Sequence, residues 1–374
     1  MSKIDDLIKE LCLDGVRFAR VGDMAVIGTG RSDRKDAVEN GQYPFYVRSK
    51  IVARIDKYSF DEEAIIIPGE GGVGDIFHYV NGKYDLHQRA YRIVFTTDEV
   101  NTKYALYYFM SHFKSFITLK AVNATVTSIR KPMIEDFRIP IPPLEVQKEI
   151  VRVLDSFTEL EAELEAELEA RKRQYEYYRN SLLAFDKNAS VAQWKTLESV
   201  CEAISAGGDL PNNYIKGDTQ PTKEFPYPIY SNGTELNALY GYSDSYKINK
   251  KAVTISARGT IGYHAVRSEK FTPIVRLITL IPDTKIITVK FLNYALNVTE
   301  IGHSGGSIPQ LTVPNVKKIK IPVPTLTVQE RIVSILDKFD ALVNDISVGL
   351  PAEIEARRKQ YEYYRNKLLT FKEV

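Results

Sequence analysis

The sequence predicts an α+β chain: two mixed α/β globular domains joined by two long helices that pair as an antiparallel coiled coil, a pseudo-twofold tandem repeat. Two near-verbatim repetitions carry this reading. RKRQYEYYRNSLLAF (171–185) returns as RRKQYEYYRNKLLTF (357–371), and IPIPPLEVQKEIVRVLDSF (139–157) returns as IPVPTLTVQERIVSILDKF (321–339). Between these copies lie stretches of β-rich runs with one helix-like run each, which is the pattern of a mixed domain.

The first globular domain is placed at 1–142. Its apolar runs AIIIP and YRIVF read as strands, and KYALYYFMSHFKSF as a helix. IIIPGEGGVG (65–74) contains the spacing G-x-G-x-x-G, but DIFHYVNGKY then reads as strand and turn. A dinucleotide loop needs a helix there, so the glycines mark a tight turn with close backbone approach. The first long helix spans 143–186. It follows Pro142-Pro143 and holds no further Gly or Pro, and about 40 residues at roughly 1.5 Å each make a rod of about 60 Å. Ile150, Val153, Phe157, Leu160, Leu164, Leu168, Tyr175, Tyr178, Leu182 and Phe185 step by three and four, so a narrow apolar stripe faces a partner helix. The acidic run TELEAELEAELE reads as a solvated face with pairs four residues apart.

The second globular domain, 187–324, echoes the first faintly. YPIY (227–230) faces YPFY (43–46), VTISARGTIG (253–262) faces IIIPGEGGVG, and Lys290 faces Lys103. KAVTIS and RLITLIP read as strands and KFLNYALN as a helix. The second rod, 325–374, repeats the stripe through Val328, Ile332, Ile335, Phe339, Leu342, Ile346, Leu350, Ile354, Tyr361, Tyr364, Leu368 and Phe371. It carries four extra residues within ISVGLPAEI, where Gly349 and Pro351 predict a break near Ser347. The packing residues expected of the two rods are Ile150, Phe157, Leu164, Tyr175, Tyr178, Leu182, Ile332, Phe339, Ile346, Tyr361, Tyr364 and Leu368.

Composition narrows the function. With 44% hydrophobic and 26% charged residues in 374, the chain is globular. No apolar stretch is long enough to cross a bilayer and the N-terminus has no secretory core, so a cytoplasmic location is expected. Two cysteines and five scattered histidines predict neither a disulfide framework nor a metal site. No cofactor is expected. The net charge is +1 over 1–140, −5 over 141–186, +6 over 187–322 and zero over 323–374, and the basic second domain suits an anionic partner. We find no phosphate loop, no nucleophile elbow, no base-flipping methylase element and no nuclease cluster, so recognition rather than catalysis is predicted.

Two variable domains, each trailed by a repeated long helix, resemble the specificity subunit of type I restriction-modification systems. YPFY and YPIY, the SARGTIG turn, GGSIPQL (305–311), the IPIPP and IPVP exits, the VQ-led rods and the YEYYRN ends carry the resemblance over nearly the whole chain. The first domain departs from it with AVNATVTSI (121–129) where the second has SGGSIPQL. The resemblance implies two target-recognition domains that each read half of a bipartite, asymmetric site in double-stranded DNA. It implies rods that set the unread gap, two adenine-N6 methyltransferase subunits docked on them, and restriction/translocase subunits that join for cleavage. Candidate DNA contacts are basic and amide residues of turn-rich segments: Arg31, Arg34, Lys35, Arg48 and Lys50 in the first domain, and Asn212, Asn213, Lys216, Asn232, Lys250 and Arg258 in the second. The competing readings are a coiled-coil adaptor that binds another protein without DNA, and a self-sufficient enzyme, which the motif search disfavours.

Overall fold

The run FDEEAIIIP starts half-buried and ends in five consecutive buried residues, the mark of a strand covered on both faces. It sits at the heart of the first of two units in a computed structural model that describes residues 3–120, 128–186, 191–301, 310–345 and 347–374. Unit one comprises Met1–Glu165 and Glu353–Val374, and unit two Ala166–Ala352.

Unit one contains strands β1 (Arg17–Arg20), β2 (Ala25–Thr29), β3 (Tyr43–Tyr46), β4 (Ala53–Ile55), β5 (Phe60–Pro68), β6 (His78–Leu86), β7 (Ala90–Phe95) and β8 (Arg138–Ile141). Its helices are α1 (Lys3–Leu11), α2 (Val21–Met24), α3 (Thr102–Lys120), α4 (Lys131–Glu135) and the first part of α5 (Leu144–Leu183). Six strands form one sheet in the order β2-β7-β5-β6-β3-β4, antiparallel except where β3 runs parallel to β6. Successive β5 side chains point to opposite faces. Ile65 and Ile67 therefore join Tyr104, Phe109 and Phe113 of α3, while Ala64 and Ile66 join Tyr84 and Leu86 on the other side. Strands β1 and β8 form a separate antiparallel pair just before α5 begins.

Unit two contains β9 (Ala192–Thr196), β10 (Cys201–Ala206), β11 (Tyr214–Lys216), β12 (Tyr227–Tyr230), β13 (Leu239–Ser243), β14 (Ala252–Ser256), β15 (His264–Arg267), β16 (Thr272–Pro273), β17 (Leu277–Pro282) and β18 (Lys320–Pro324). Its helices, besides the rest of α5, are α6 (Leu197–Val200), α7 (Val289–Asn297), α8 (Val313–Lys318) and α9 (Leu326–Asn344), and α10 (Leu350–Leu368) follows. Two four-stranded sheets, β10-β17-β14-β15 and β11-β13-β12-β16, replace the single sheet of unit one, and β9 pairs with β18 as β1 does with β8. The cause is local. Strand β6 pairs with β5 through its first residues and with β3 through its last, whereas its counterpart is cut into β15 and β16 around Lys270, whose φ is 64°.

The rods pair antiparallel within each unit. In unit one, Phe157 of α5 lies 6.2 Å from Tyr361 and 5.5 Å from Tyr364 of α10, ring centre to ring centre, while Ile150 and Leu154 share a core with Leu368 and Leu369. In unit two, Phe339 of α9 lies 6.4 Å from Tyr175 and 5.3 Å from Tyr178. Leu182 and Leu183 share a core there with Ile332 and Leu336. Leu164 is buried as well, and Ile346 lies outside the described residues. Helix α9 ends at Asn344 and α10 begins at Leu350, so the chain breaks where Gly349 and Pro351 predict.

Each rod also grips its own head, which a single narrow stripe does not foresee. Gln147, wholly buried, donates to the carbonyls of Glu99 (2.8 Å) and Pro142 (2.7 Å) and accepts from the Asn101 amide (2.8 Å). Gln329 repeats this with Ile286 (2.9 Å), Pro324 (2.9 Å) and the Thr288 amide (2.9 Å). Two turns on, Asp155 accepts from Lys103 (2.8 Å) and Tyr107 (2.6 Å), as Asp337 accepts from Lys290 (2.5 Å) and Tyr294 (2.8 Å). The acidic run is not wholly solvated either, since Arg358 of α10 binds Glu161 and Glu165, each at 2.6 Å.

Candidate nucleic-acid interface

Three backbone hydrogen bonds build the same frame in both heads. The His87 amide donates to Tyr46 (2.9 Å), and the Ile274 amide donates to Tyr230 (2.9 Å). Gly69 donates to Arg89 (2.8 Å), as Ala257 does to Arg276 (2.9 Å). Ile129 then donates to Gly69 (2.8 Å), and Leu311 to Ala257 (2.9 Å). This register joins the end of the YP-x-Y strand, the glycine turn, and the residue that leads into β7 or β17. The turn demands glycine at two matched places: φ is 72° at Gly71 and 78° at Gly259, then 73° at Gly74 and 85° at Gly262. A Cβ at Gly74 would stand 3.1 Å from the Lys114 backbone of α3, so this glycine also permits close approach.

Three side-chain positions ride on that frame. In unit one they are Arg48, Glu70 and Arg89. A single carboxylate oxygen of Glu70 accepts from Arg48 Nη1 (3.0 Å) and Arg89 Nη1 (2.9 Å). The two guanidinium groups, Arg89 foremost, hold the Glu70 carboxyl below the usual carboxylate range. Arg34, Arg48, Ser49, Glu70, Gly71 and His87 line one pocket of about 290 Å³. The His87 ring is buried, accepts from the Arg89 amide at Nδ1 (3.0 Å), and is kept neutral chiefly by burial and then by Arg48. The loop bearing Arg31, Arg34 and Lys35 is tied alongside, where Gln88 donates to Asp33 (3.0 Å). Arg31, Arg34, Lys35 and Lys50 are exposed and form no ion pair among the described residues.

In unit two the matched positions hold Asn232, Arg258 and Arg276. Asn232 turns inward, its side-chain oxygen facing the Ala257 amide at 3.4 Å. Arg258 forms no ion pair among the described residues, and Arg276 sits exposed with φ at 72°, a conformation that side chains other than glycine rarely adopt. The other candidates lie on surrounding segments. Asn213 donates to Asp244 (3.0 Å), Asn212 is exposed beside it, Lys216 lies 5.3 Å from the Tyr240 ring centre, and Lys250 is paired with Glu202.

Sequence reasoning thus selected Arg48, Asn232 and Arg258 but passed over Glu70, Arg89 and Arg276. A search for cations discards a glutamate, and only the strand register reveals that residues some twenty positions apart converge. GGSIPQL except Gln310 and Leu311, and AVNATVTSI except Ser128 and Ile129, lie outside the described residues. Among the described residues no His, Cys, Asp or Glu cluster could hold a metal ion, and no helix is long and apolar enough to cross a membrane.

Comparison with known proteins identifies the family. The model of the type I restriction modification DNA specificity domain matches twice, at residues 14–170 and 192–356. A Mycoplasma pneumoniae protein bearing the name of a type I specificity subunit is 31% identical over 332 residues, covering 86% of this chain and 97% of its own. The specificity subunit of an Escherichia coli type I restriction enzyme is 37% identical over 263 residues, 63% of each chain. Among solved structures, the S subunit of a Mycoplasma genitalium type I restriction-modification system aligns over 95% of this chain and 96% of its own with a TM-score of 0.61 at 18% identity.

Proposed function

The chain belongs to the type I restriction-modification DNA specificity family, and on that premise we propose how its parts share the work of recognition. Heads 1–142 and 187–324 each read one half of a bipartite, asymmetric site in duplex DNA. Helices 143–186 and 325–374 set the unread gap and dock two adenine-N6 methyltransferase subunits, which restriction/translocase subunits join for cleavage. The chain performs no chemistry of its own and works in the cytoplasm beside its DNA. The observation that carries this reading is the repeated frame: one backbone scaffold, built twice, presents Arg-Glu-Arg in one head and Asn-Arg-Arg in the other. Equal scaffolds with unequal side chains suit two different half-sites, where a symmetric reader would repeat itself.

Two measurements test it. Methyl transfer to genomic DNA by the cognate methyltransferase should depend on this chain, and binding of the complex to duplex should weaken linearly with salt on a log–log plot. A salt-insensitive complex that methylates equally well without the chain would overturn the reading in favour of an adaptor. Adding four residues to each rod lengthens it by about 6 Å, comparable to roughly two base-pair steps, so both half-sites should persist while their gap grows.

A further inference from the structure

We propose that Arg48 and Arg89 of unit one read guanine at one or two positions of its half-site, and that Glu70 is the positioning residue that aims them. The proposal rests on the DNA-reading function above and assigns it to particular atoms.

The arrangement is a built one. The Arg48, Arg89 and Glu70 side chains are 44%, 57% and 38% exposed, so they face solvent while their backbones are pinned. Tyr46 and Val47 before Arg48 are buried, Gly69 is bonded to Arg89, and Glu70 itself bridges to Ser128. Both arginines spend one N–H on the same Glu70 oxygen, which leaves the rest of each planar fork available. Nothing among the described residues bonds the second Glu70 oxygen.

Ligand chemistry follows from the two arginine forks. A guanine offers two acceptors, O6 and N7, to an arginine fork in the major groove, and its cytosine offers an N4 amino donor beside them. One arginine fork satisfies the O6 and N7 pair in full, so two forks held on either side of the Glu70 carboxylate suit guanines at one or two neighbouring positions. A phosphate fits less well, because the carboxylate between the forks repels it, and the unpaired Arg31, Arg34, Lys35 and Lys50 nearby are better placed for the backbone. Prior fixation by Glu70 removes rotamer freedom that two free arginines would lose on binding. Unit two supplies an independent argument: the same frame carries Asn232, Arg258 and Arg276, so the first two positions differ between the heads, the third stays arginine, and the scaffold is unchanged.

The test uses the full methyltransferase complex. Methylated adenines are sequenced in cells carrying the wild-type chain, Arg48→Ala, Arg89→Ala or Glu70→Gln. Each variant is expected to relax one or two G·C positions of a single half-site by about 10-fold or more, leaving the other half-site and the gap intact. A uniform loss with an unchanged consensus would make the arginines phosphate contacts and overturn the proposal, as would no change. Failure of the wild-type chain to direct any methylation would instead sink the DNA-reading function itself. Binding of purified complex to duplexes whose guanine has carbon in place of N7 guards against misfolding. That substitution should weaken the wild type about 10-fold and the arginine variants hardly at all, and equal losses in all would refute the assignment.

Discussion

The two heads differ most where they are least constrained by the rods. Unit one carries a continuous six-stranded sheet and nearly balanced charge, whereas unit two splits the same strands into two sheets and holds the basic excess. Besides the backbone frame of the candidate interface, what they share lies at the rod: the buried glutamine, the Asp-Lys-Tyr clamp, the phenylalanine between two tyrosines, and the two-stranded sheet that precedes each rod. A head can redraw its sheet and exchange its exposed side chains at little cost to the rod contacts. The contacts that hold head to rod cannot vary so freely, because each buries polar groups that must stay paired.

The largest effect should come from breaking that shared part. Gln147→Ala would leave an amide and two carbonyls without partners in a buried site, a loss of about 2–4 kcal/mol, and Gln329→Ala should cost unit two the same. The single tryptophan, Trp194, lies in unit two, so its fluorescence separates the halves. Gln329→Ala should shift the fluorescence transition in urea, while Gln147→Ala should shift circular dichroism first. Unequal costs would show that the clamps are alike in geometry but not in energy.

A smaller effect is expected at the rod seam. Phe157→Ala and Phe339→Ala each remove a half-buried ring packed against two tyrosines, for about 1–3 kcal/mol apiece. Replacing both in one chain should give additive losses, because the two rings lie in separate units and share no partner. Urea midpoints of the two single variants and the double variant decide this. A double loss well short of the sum would mean that opening one seam already opens the other.

These contrasts show what the sequence discloses. Strands β5, β7, β14 and β17, helices α3, α5 and α7, and the break before α10 all follow from runs of apolar residues and from Gly and Pro, which act locally. The three- and four-residue stripe selected the residues facing the other rod. It missed Leu154, Leu183 and Leu336, which are buried in cores that hold residues of both the opposite rod and the adjoining head. Helix α1, with Ile4 buried, was missed too, although Ile4, Leu7 and Ile8 carry its spacing. The VQ pair announced itself as a repeat, but its hydrogen bonds depend on Asn101 and Thr288, some forty residues upstream. The Arg48-Glu70-Arg89 cluster is less legible still, since it exists only through sheet register, and no local pattern encodes it.

The smallest predicted difference between the units is their response to mild acid. Burial pushes His78, His87 and His112 of unit one below the ordinary histidine range, and does the same to His264 of unit two. These rings stay neutral in the fold, whereas in the unfolded chain they take up a proton below about pH 6.5. Unfolding therefore binds protons in that window, so the histidine contribution to stability is complete above it and declines as pH falls through it. The described part of unit one has three such rings against one in unit two, and it should lose more. Thermal melts at about pH 7.5 and about pH 5.5 remain above the carboxylate range, where Glu149, held low mainly by Arg152, would begin to contribute. The circular dichroism transition should move down further than the Trp194 fluorescence transition, by less than either rod substitution moves it. If the fluorescence transition moved further instead, burial of His264 against the Asn293 and Gly262 carbonyls would outweigh the three rings of the other unit.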